Sequence, residues 1–316
     1  MRIVYWARIP LARQLITGHL GARTDVDLSV VESLDDLLAA IPGAAGLVLA
    51  DAPEAEARRI VAAIAAAGTV RWIHFVTAGQ EGFDAAGMPA GVPVTRPGLG
   101  VSPTVAEHTL ALILALLRRV PEMVASTREA RWDRGVMQRL ATLEGMTVAI
   151  VGFGNVGREI AARLRPFGAG IIGVRRSGAP NPGADDIVTP DRLREILPRA
   201  GVVVLAMPQT AETEHLFGAA EFAAMRPDAI LVNVARGGVV DQDALVAALQ
   251  SGRIAGAGLD VTTPEPLPAG DPLWTCPNVL ISSHIAGGGS QASRERIADD
   301  VVAALDRLIA DGTLAA

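Results

Sequence analysis

Lysine is missing from this chain. All 28 of its permanently charged basic residues are arginine, which excludes a Schiff-base lysine, a P-loop lysine and a kinase lysine. Cysteine is nearly missing too. Cys276 stands alone before a proline, so there is no disulfide framework and no Cys-rich metal site, and the residue reads as a small, semi-buried one. The five histidines (19, 74, 108, 215 and 284) lack the HExxH spacing, and no metal is expected. No apolar run approaches the roughly 18 residues of a membrane span; the longest is Thr109–Leu117. The opening MRIVYW reads as a strand rather than a basic region followed by an apolar signal segment, so a cytoplasmic protein with no membrane partner is expected. The formal charge is −6, without a basic stripe, which argues against nucleic acid as a partner.

What remains is 316 residues, half of them hydrophobic, with no repetitive or polar tract. That is enough for two domains with real cores. Over the first hundred residues short β-like runs (3–6, 26–31, 47–50, 72–76) alternate with helical patterns (11–19, 34–40, 54–67). The stretch GMPAGVPVTRPGLGVSP (87–103) reads as a domain crossing, and a long apolar helix follows over 104–117. His108 on that helix reads as a hydrogen-bonded structural histidine. A second series supplies six strands (147–151, 170–174, 202–206, 229–234, 256–260, 279–282). Helices fit at 156–167, 191–200, 219–225 and 241–251, and the tail holds an amphipathic helix over 294–310. Repeated βα alternation predicts α/β architecture with doubly wound parallel sheets. The expected domains are 1–98 with 288–316, and 99–287.

The segment VAIVGFGNVG (148–157) places Gly152, Gly154 and Gly157 in G-x-G-x-x-G spacing between a strand and a helix. There Gly152 permits the tight turn, Gly154 lets backbone amides approach a pyrophosphate, and Gly157 lets helix and strand pack closely. The next strand would end in an acid if it held the ribose 2′-hydroxyl of NAD. Here it ends Val174-Arg175-Arg176-Ser177. A guanidinium binds a 2′-phosphate that a carboxylate would repel, so NADP(H) is expected over NAD(H). The alternative is a pair of solvated loop arginines with NAD. Asp185 and Asp186 lie too far along to serve as the ribose acid.

Downstream come NVARGG (233–238), TTPEP (262–266) and SSHIAG (282–287), carrying Arg236, Glu265 and His284. A guanidinium, a carboxylate and an imidazole suit protonation of a carbonyl during hydride transfer. An imidazole transfers protons both ways near neutral pH, Glu265 would stabilise its charged form, and Arg236 would hold a substrate carboxylate. Each residue also has a bland reading: Arg236 paired with Asp241, Glu265 as a surface turn, His284 as a core residue.

With AEHTLALILALL (106–117), MPQTAETEHLF (207–217), MRPDAILVNVARGGVVDQDALVAAL (225–249) and GLDVTTPEPLPAGDPLW (258–274), nearly the whole chain resembles the D-isomer-specific 2-hydroxyacid dehydrogenase family. The resemblance implies two Rossmann/flavodoxin-like domains with the active site in a cleft between them. It also implies a homodimer, with helix 104–117 and segment 127–140 as candidate interfaces. The activity implied is reduction of a small 2-keto acid such as glyoxylate or hydroxypyruvate, with Arg236, Glu265 and His284 catalytic. It places Asn155 and Val156 at the pyrophosphate, and Arg175, Arg176 and Ser177 at the 2′-phosphate. Met207, Pro208 and Thr213 fall on the adenosine side. Val234, Ala235, Arg236, Asp260, His284, Ala286 and Gly287 fall near the nicotinamide, with a structural strand-end role for Asp260 as the alternative. Ala78 and Gly79, in VTAGQEGF (76–83), would bind the substrate carboxylate through backbone amides; Arg236 would hold the same carboxylate, and His284 would bind the substrate at its carbonyl oxygen. This chain departs from the family pattern at Gln80-Glu81-Gly82, at Thr262-Thr263 and at Ser283, where proline is common. Phosphoglycerate- and phosphite-type dehydrogenases share the fold, as do dinucleotide-sensing corepressors, which need partner surfaces or tails not seen here. Glu265 argues against a formate dehydrogenase, where glutamine is usual.

Overall fold

A computed structural model of the chain describes residues 1–77 and 79–314. It divides into two compact units, Met1–Val101 with Gly289–Ala316, and Ser102–Gly288. Among the described residues no helix is long and apolar enough to cross a membrane, and no three His, Cys, Asp or Glu side chains cluster as metal ligands.

The first unit runs β1 (Arg2–Trp6), α1 (Arg13–Gly21), β2 (Asp27–Val31), α2 (Leu34–Ala40), β3 (Gly46–Leu49), α3 (Glu54–Ala67), β4 (Trp72–Phe75), α4 (Glu81–Ala86) and β5 (Val94–Thr95). All pairings are parallel, in the order β2-β1-β3-β4-β5, a doubly wound order of the flavodoxin type. The inner strands are nearly all apolar because both faces are covered. One face packs Ile3, Tyr5 and Val48 against Ile16 and Leu20 of α1 and against Ile297, Val301 and Leu305 of the helix Gln291–Ala310. The other packs Val4, Leu47 and Phe75 against Leu37, Ile60 and Ile64 of α2 and α3. Ser33 and Ser290 cap their helices by accepting the Asp36 and Ser293 amides, and Gly68 ends α3 at φ 61°. The two-residue β5 is additional to the four expected strands. It lies within the Gly/Pro-rich crossing, too short to show any period.

The second unit opens with α5 (Ser102–Leu117) and α6 (Val120–Arg128). It continues through β6 (Thr147–Val151), α7 (Asn155–Leu164), β7 (Gly170–Val174), β8 (Asp186–Val188), α8 (Leu193–Ile196), β9 (Val202–Leu205), α9 (Ala219–Ala224), β10 (Ile230–Asn233), α10 (Gln242–Gln250), β11 (Gly256–Leu259) and β12 (Val279–Ile281). The parallel sheet is ordered β12-β11-β10-β9-β6-β7-β8. It changes direction at β6, the first strand, with β7 on one side and β9 on the other. This is the switch point where α/β sheets bind ligands. Helix α5 lies on one face, burying Leu112, Ile113 and Leu116, each worth about 1.5–3 kcal/mol. Gly258 lets Leu112 come close, since a Cβ there would sit 3.1 Å from the leucine Cβ.

Two expectations need correction. The sheet has seven strands rather than six: β8 is three residues within an Asp/Gly/Pro-rich stretch, held by β7 along one edge, with no apolar run to reveal it. The helix expected over 191–200 is only Leu193–Ile196, flanked by 3₁₀ turns, because Pro198 has no amide with which to continue it.

Candidate functional site

The glycine turn joins β6 to α7. Gly152 has φ 98°, and a Cβ there would lie 2.5 Å from the Ala206 carbonyl carbon and the Met207 nitrogen. At Gly157 a Cβ would lie 2.4 Å from the Gly152 oxygen. Both positions are therefore closed to side chains by backbone. Gly154, the N-cap of α7, is different: nothing lies within 4 Å of its would-be Cβ. Open space thus faces the amide end of a ten-residue helix, beside Asn155 and Val156, which is a fit for a dinucleotide pyrophosphate.

The adjoining strand β7 ends at Val174. Arg175 donates its amide to Val188 of β8 and accepts the Gly178 amide, forming a turn that presents Arg175, Arg176 and Ser177. Arg175 is half-buried and the other two are exposed. Among the described residues no carboxylate forms an ion pair with either arginine. Arg176 is near enough to Glu212 to help hold that carboxyl below its ordinary range, behind a larger contribution from the Thr210 hydroxyl. Asp185 belongs to the opposite end of β7, accepting the Ile171 amide at 2.7 Å and pairing with Arg165 at 3.0 Å. In the loop after β9 Met207 is buried and Pro208 exposed. Thr213 ties that loop by donating to the Pro208 carbonyl at 2.8 Å and accepting the Thr210 amide at 2.7 Å.

Arg236 leaves the end of β10. Buried Asn233 shapes this turn, accepting the Ala235 amide at 3.0 Å and donating to the Arg236 carbonyl at 2.9 Å. Val234 is half-buried and Ala235 buried. The Arg236 guanidinium donates to the Ala235 carbonyl at 2.7 Å. Asp241 caps α10 by accepting the Ala244 amide. Gly237 lies against the next segment so closely that a Cβ would sit 1.9 Å from the Thr262 oxygen.

That segment carries Glu265, between cis peptide bonds at Thr263–Pro264 and Glu265–Pro266. One Glu265 oxygen accepts the Thr262 amide at 3.2 Å, and Gln242 of α10 accepts the Thr263 amide at 3.0 Å. The other Glu265 oxygen lies 2.8 Å from Nδ1 of His284. The imidazole is 49% exposed, and among the described residues its Nε2 has no partner. His284 and Ser283 both have left-handed backbones, φ 57° and 55°, a conformation costing about 1 kcal/mol or more for a side-chain-bearing residue. The Asp260 carbonyl takes the His284 amide at 2.5 Å, while its carboxylate takes the Ile285 amide at 2.9 Å and the Ala286 amide at 3.1 and 3.2 Å. Asp260 and Ala286 are buried and Gly287 half-buried. The Asp260 oxygens thus face the histidine loop. His108 likewise makes a hydrogen bond, to Ser282 at 2.8 Å.

In the first unit, Gly79 accepts the Thr77 hydroxyl at 2.8 Å, and Gln80 is buried between Asp84 and Arg96. Ala78 lies outside the described residues. From the sequence alone no role fell to Asn233, Gln242 and Ser282, and Thr262 was marked only as a departure from the family pattern. The only signal for them was a polar residue at a strand end or inside a motif.

Comparison with known proteins decides the family. Residues 110–286 match the model for the NAD binding domain of D-isomer specific 2-hydroxyacid dehydrogenases. The chain belongs to that family. It is 37% identical over 239 residues to glyoxylate/hydroxypyruvate reductase B of Citrobacter koseri, a match covering 74% of this chain and 72% of that one. An uncharacterized Corynebacterium melassecola protein is 43% identical over 187 residues, covering 58% of this chain and 60% of its own length. A D-3-phosphoglycerate dehydrogenase of Methanocaldococcus jannaschii is 34% identical over 71% of this chain but only 42% of its own. Among solved structures, a family member from Xanthobacter autotrophicus in complex with NADPH and MES superposes with a TM-score of 0.83 at 27% identity, covering 98% of this chain and 95% of that one.

Proposed function

We propose that this family member is an NADP(H)-preferring 2-keto acid reductase, acting on a small substrate such as glyoxylate or hydroxypyruvate. The contact of Glu265 with Nδ1 of His284 at 2.8 Å carries the reading. It orients the ring, leaving Nε2 as the nitrogen that exchanges a proton with substrate. In the imidazolium form Nε2–H gives its proton to the carbonyl oxygen; in the neutral form, with Nδ1–H donated to Glu265, the Nε2 lone pair takes the proton back in the reverse reaction. Arg236 grips the substrate carboxylate and polarises its keto oxygen. A nicotinamide dinucleotide, when bound, supplies the hydride. Its pyrophosphate falls to the Gly154 space with Asn155 and Val156. A 2′-phosphate falls to Arg175, Arg176 and Ser177, which among the described residues have no acid competing at hydrogen-bond distance. Met207, Pro208 and Thr213 flank the adenosine. Val234, Ala235, Asp260, Ala286 and Gly287 flank the nicotinamide, and Gly79 serves the substrate carboxylate. The NADPH held by the Xanthobacter protein and the name of the Citrobacter relative support the same reading.

Initial rates with glyoxylate, hydroxypyruvate and phosphohydroxypyruvate, each with NADPH and NADH, test it. Wild type should turn over one of the first two with NADPH preferred, and His284→Ala should lose about 10²–10⁴ in rate. Turnover of phosphohydroxypyruvate alone would make it a phosphoglycerate-type enzyme, and preference for NADH would overturn the arginine assignment. A homodimer belongs to the same proposal. Trp132 and Met137, 93% and 61% exposed, mark its candidate face, and a monomer mass by light scattering would refute it.

A further inference from the structure

His108 and Ser282 take no part in the chemistry proposed above, yet hydrogen bonds link them through Asp260 to the loop that carries the acid–base histidine. Ser282 has one hydroxyl proton, and the Asp260 carboxylate, 3% exposed, can only accept. The 2.7 Å contact between Ser282 Oγ and Asp260 Oδ1 uses that proton. The serine oxygen must therefore accept from His108, whose Nε2 lies 2.8 Å away. This assigns a proton to Nε2 of His108 and gives a one-directional chain, His108 to Ser282 to Asp260.

Asp260 is where the chain ends and the His284 loop begins. Its carboxylate also receives the Ile285 and Ala286 amides, while its carbonyl receives that of His284. Those three amides belong to a loop held at φ 55° and 57° at two residues that bear side chains. Such a backbone persists only where its surroundings over-determine it. Oδ1 alone collects the Ser282 hydroxyl and two of the amides, so its direction depends on the serine, and the serine's direction on His108. The imidazole itself is 3.7 Å from Oδ1, too far for a direct hydrogen bond.

We propose that His108, on α5, is a positioning residue for the general acid. Its Nε2–H orients Ser282, Ser282 orients the Asp260 carboxylate, and the carboxylate holds the left-handed turn that aims His284. The inference rests on the role proposed for His284, but its structural half can be read without any substrate.

Three variants test it: His108→Leu removes the donor, His108→Gln keeps an N–H at the same reach, and Ser282→Ala cuts the chain one link on. The first readout is the imidazole carbon–proton NMR spectrum of the chain without cofactor at fixed pH. Only five histidines contribute, and the His284 signal is identified by its loss in His284→Ala. His108→Leu and Ser282→Ala should move that signal; His108→Gln should leave it at its wild-type position. The second readout is steady-state kinetics. Here kcat should fall on the order of tenfold in the leucine and alanine variants with KM little changed, and should be restored in His108→Gln, since misplacing a catalytic group acts on the chemical step. An unmoved His284 signal in His108→Leu overturns the inference. So does equal impairment of the leucine and glutamine variants, which would make His108 a packing residue. If wild type reduces no keto acid, the proposed function fails while the spectra still decide whether the chain of hydrogen bonds holds the loop.

Discussion

Gly237→Ala is the smallest change that should separate binding from catalysis. A methyl group built there meets the Thr262 oxygen at 1.9 Å, its carbonyl carbon at 2.2 Å and the Thr263 hydroxyl at 2.5 Å. Real Cβ atoms essentially never come closer than 3.0 Å. Two of the three obstacles are backbone atoms, so no rotamer change relieves them. The Arg236 turn and the Thr262 segment must move apart by about 1 Å, the difference between 1.9 and 3.0 Å. Arg236 is bonded to Gly237 on one side, and the Thr262 amide holds Glu265 on the other. The displacement therefore falls between the guanidinium and the Glu265–His284 pair. A misplacement of about 1 Å can cost on the order of 10²-fold in rate, and overpacking of this kind costs about 1–3 kcal/mol of stability. The glycine turn at Gly152–Gly157 follows β6, which β9 separates from β10 in the sheet. Expected, then, are a kcat/KM lowered about a hundredfold, dinucleotide affinity by fluorescence titration within about twofold of wild type, and a modestly lower melting temperature. A variant with a wild-type rate and melting temperature would refute the claim that this contact sets the spacing of the catalytic segments.

Two further outcomes follow from single side chains. Arg175→Ala should weaken NADPH binding about 10- to 150-fold, the value of one charge-assisted hydrogen bond of about 1.5–3 kcal/mol, and leave NADH within about twofold; equal loss with both cofactors in binding titrations would refute the 2′-phosphate assignment. His74, fully buried in β4 with Nδ1 2.9 Å from the Thr95 hydroxyl, is pushed down from 6.5 to about 4 by burial first and by the Arg307 charge second. Its folded value is depressed and its charged form is the acid form, so the unfolded chain takes up the proton first. The stability it contributes is complete above about pH 6.5 and is lost as pH falls towards 4, by up to about 3 kcal/mol. Urea unfolding of wild type and His74→Asn across that range checks this, and identical pH slopes would refute it.

Much of this was legible in residues that act on near neighbours. Alternation of apolar runs with helical patterns announced parallel α/β sheets, because strand and helix periods are written into side chains a few positions apart. Gly152, Gly154 and Gly157 declared a strand-to-helix turn, and the order Arg236, Glu265, His284 stood out because each lies in its own distinctive segment. Other features depended on strand order, which brings together residues far apart in the chain. Asp185 falls at the wrong end of β7 to serve as a ribose acid because parallel strands put all their carboxyl ends on one side of the sheet. Strand β8 exists because β7 offers it an edge. Helix α5 brings His108 to Ser282, 174 residues later, and β11 lies beside β12, so that Asp260 can hold the loop that aims His284. Which chemical groups are present, and which local turns carry them, is written in the order of the residues. Their separations and the direction in which each hydrogen bond runs were decided by tertiary structure, because those depend on which backbone lies next to which.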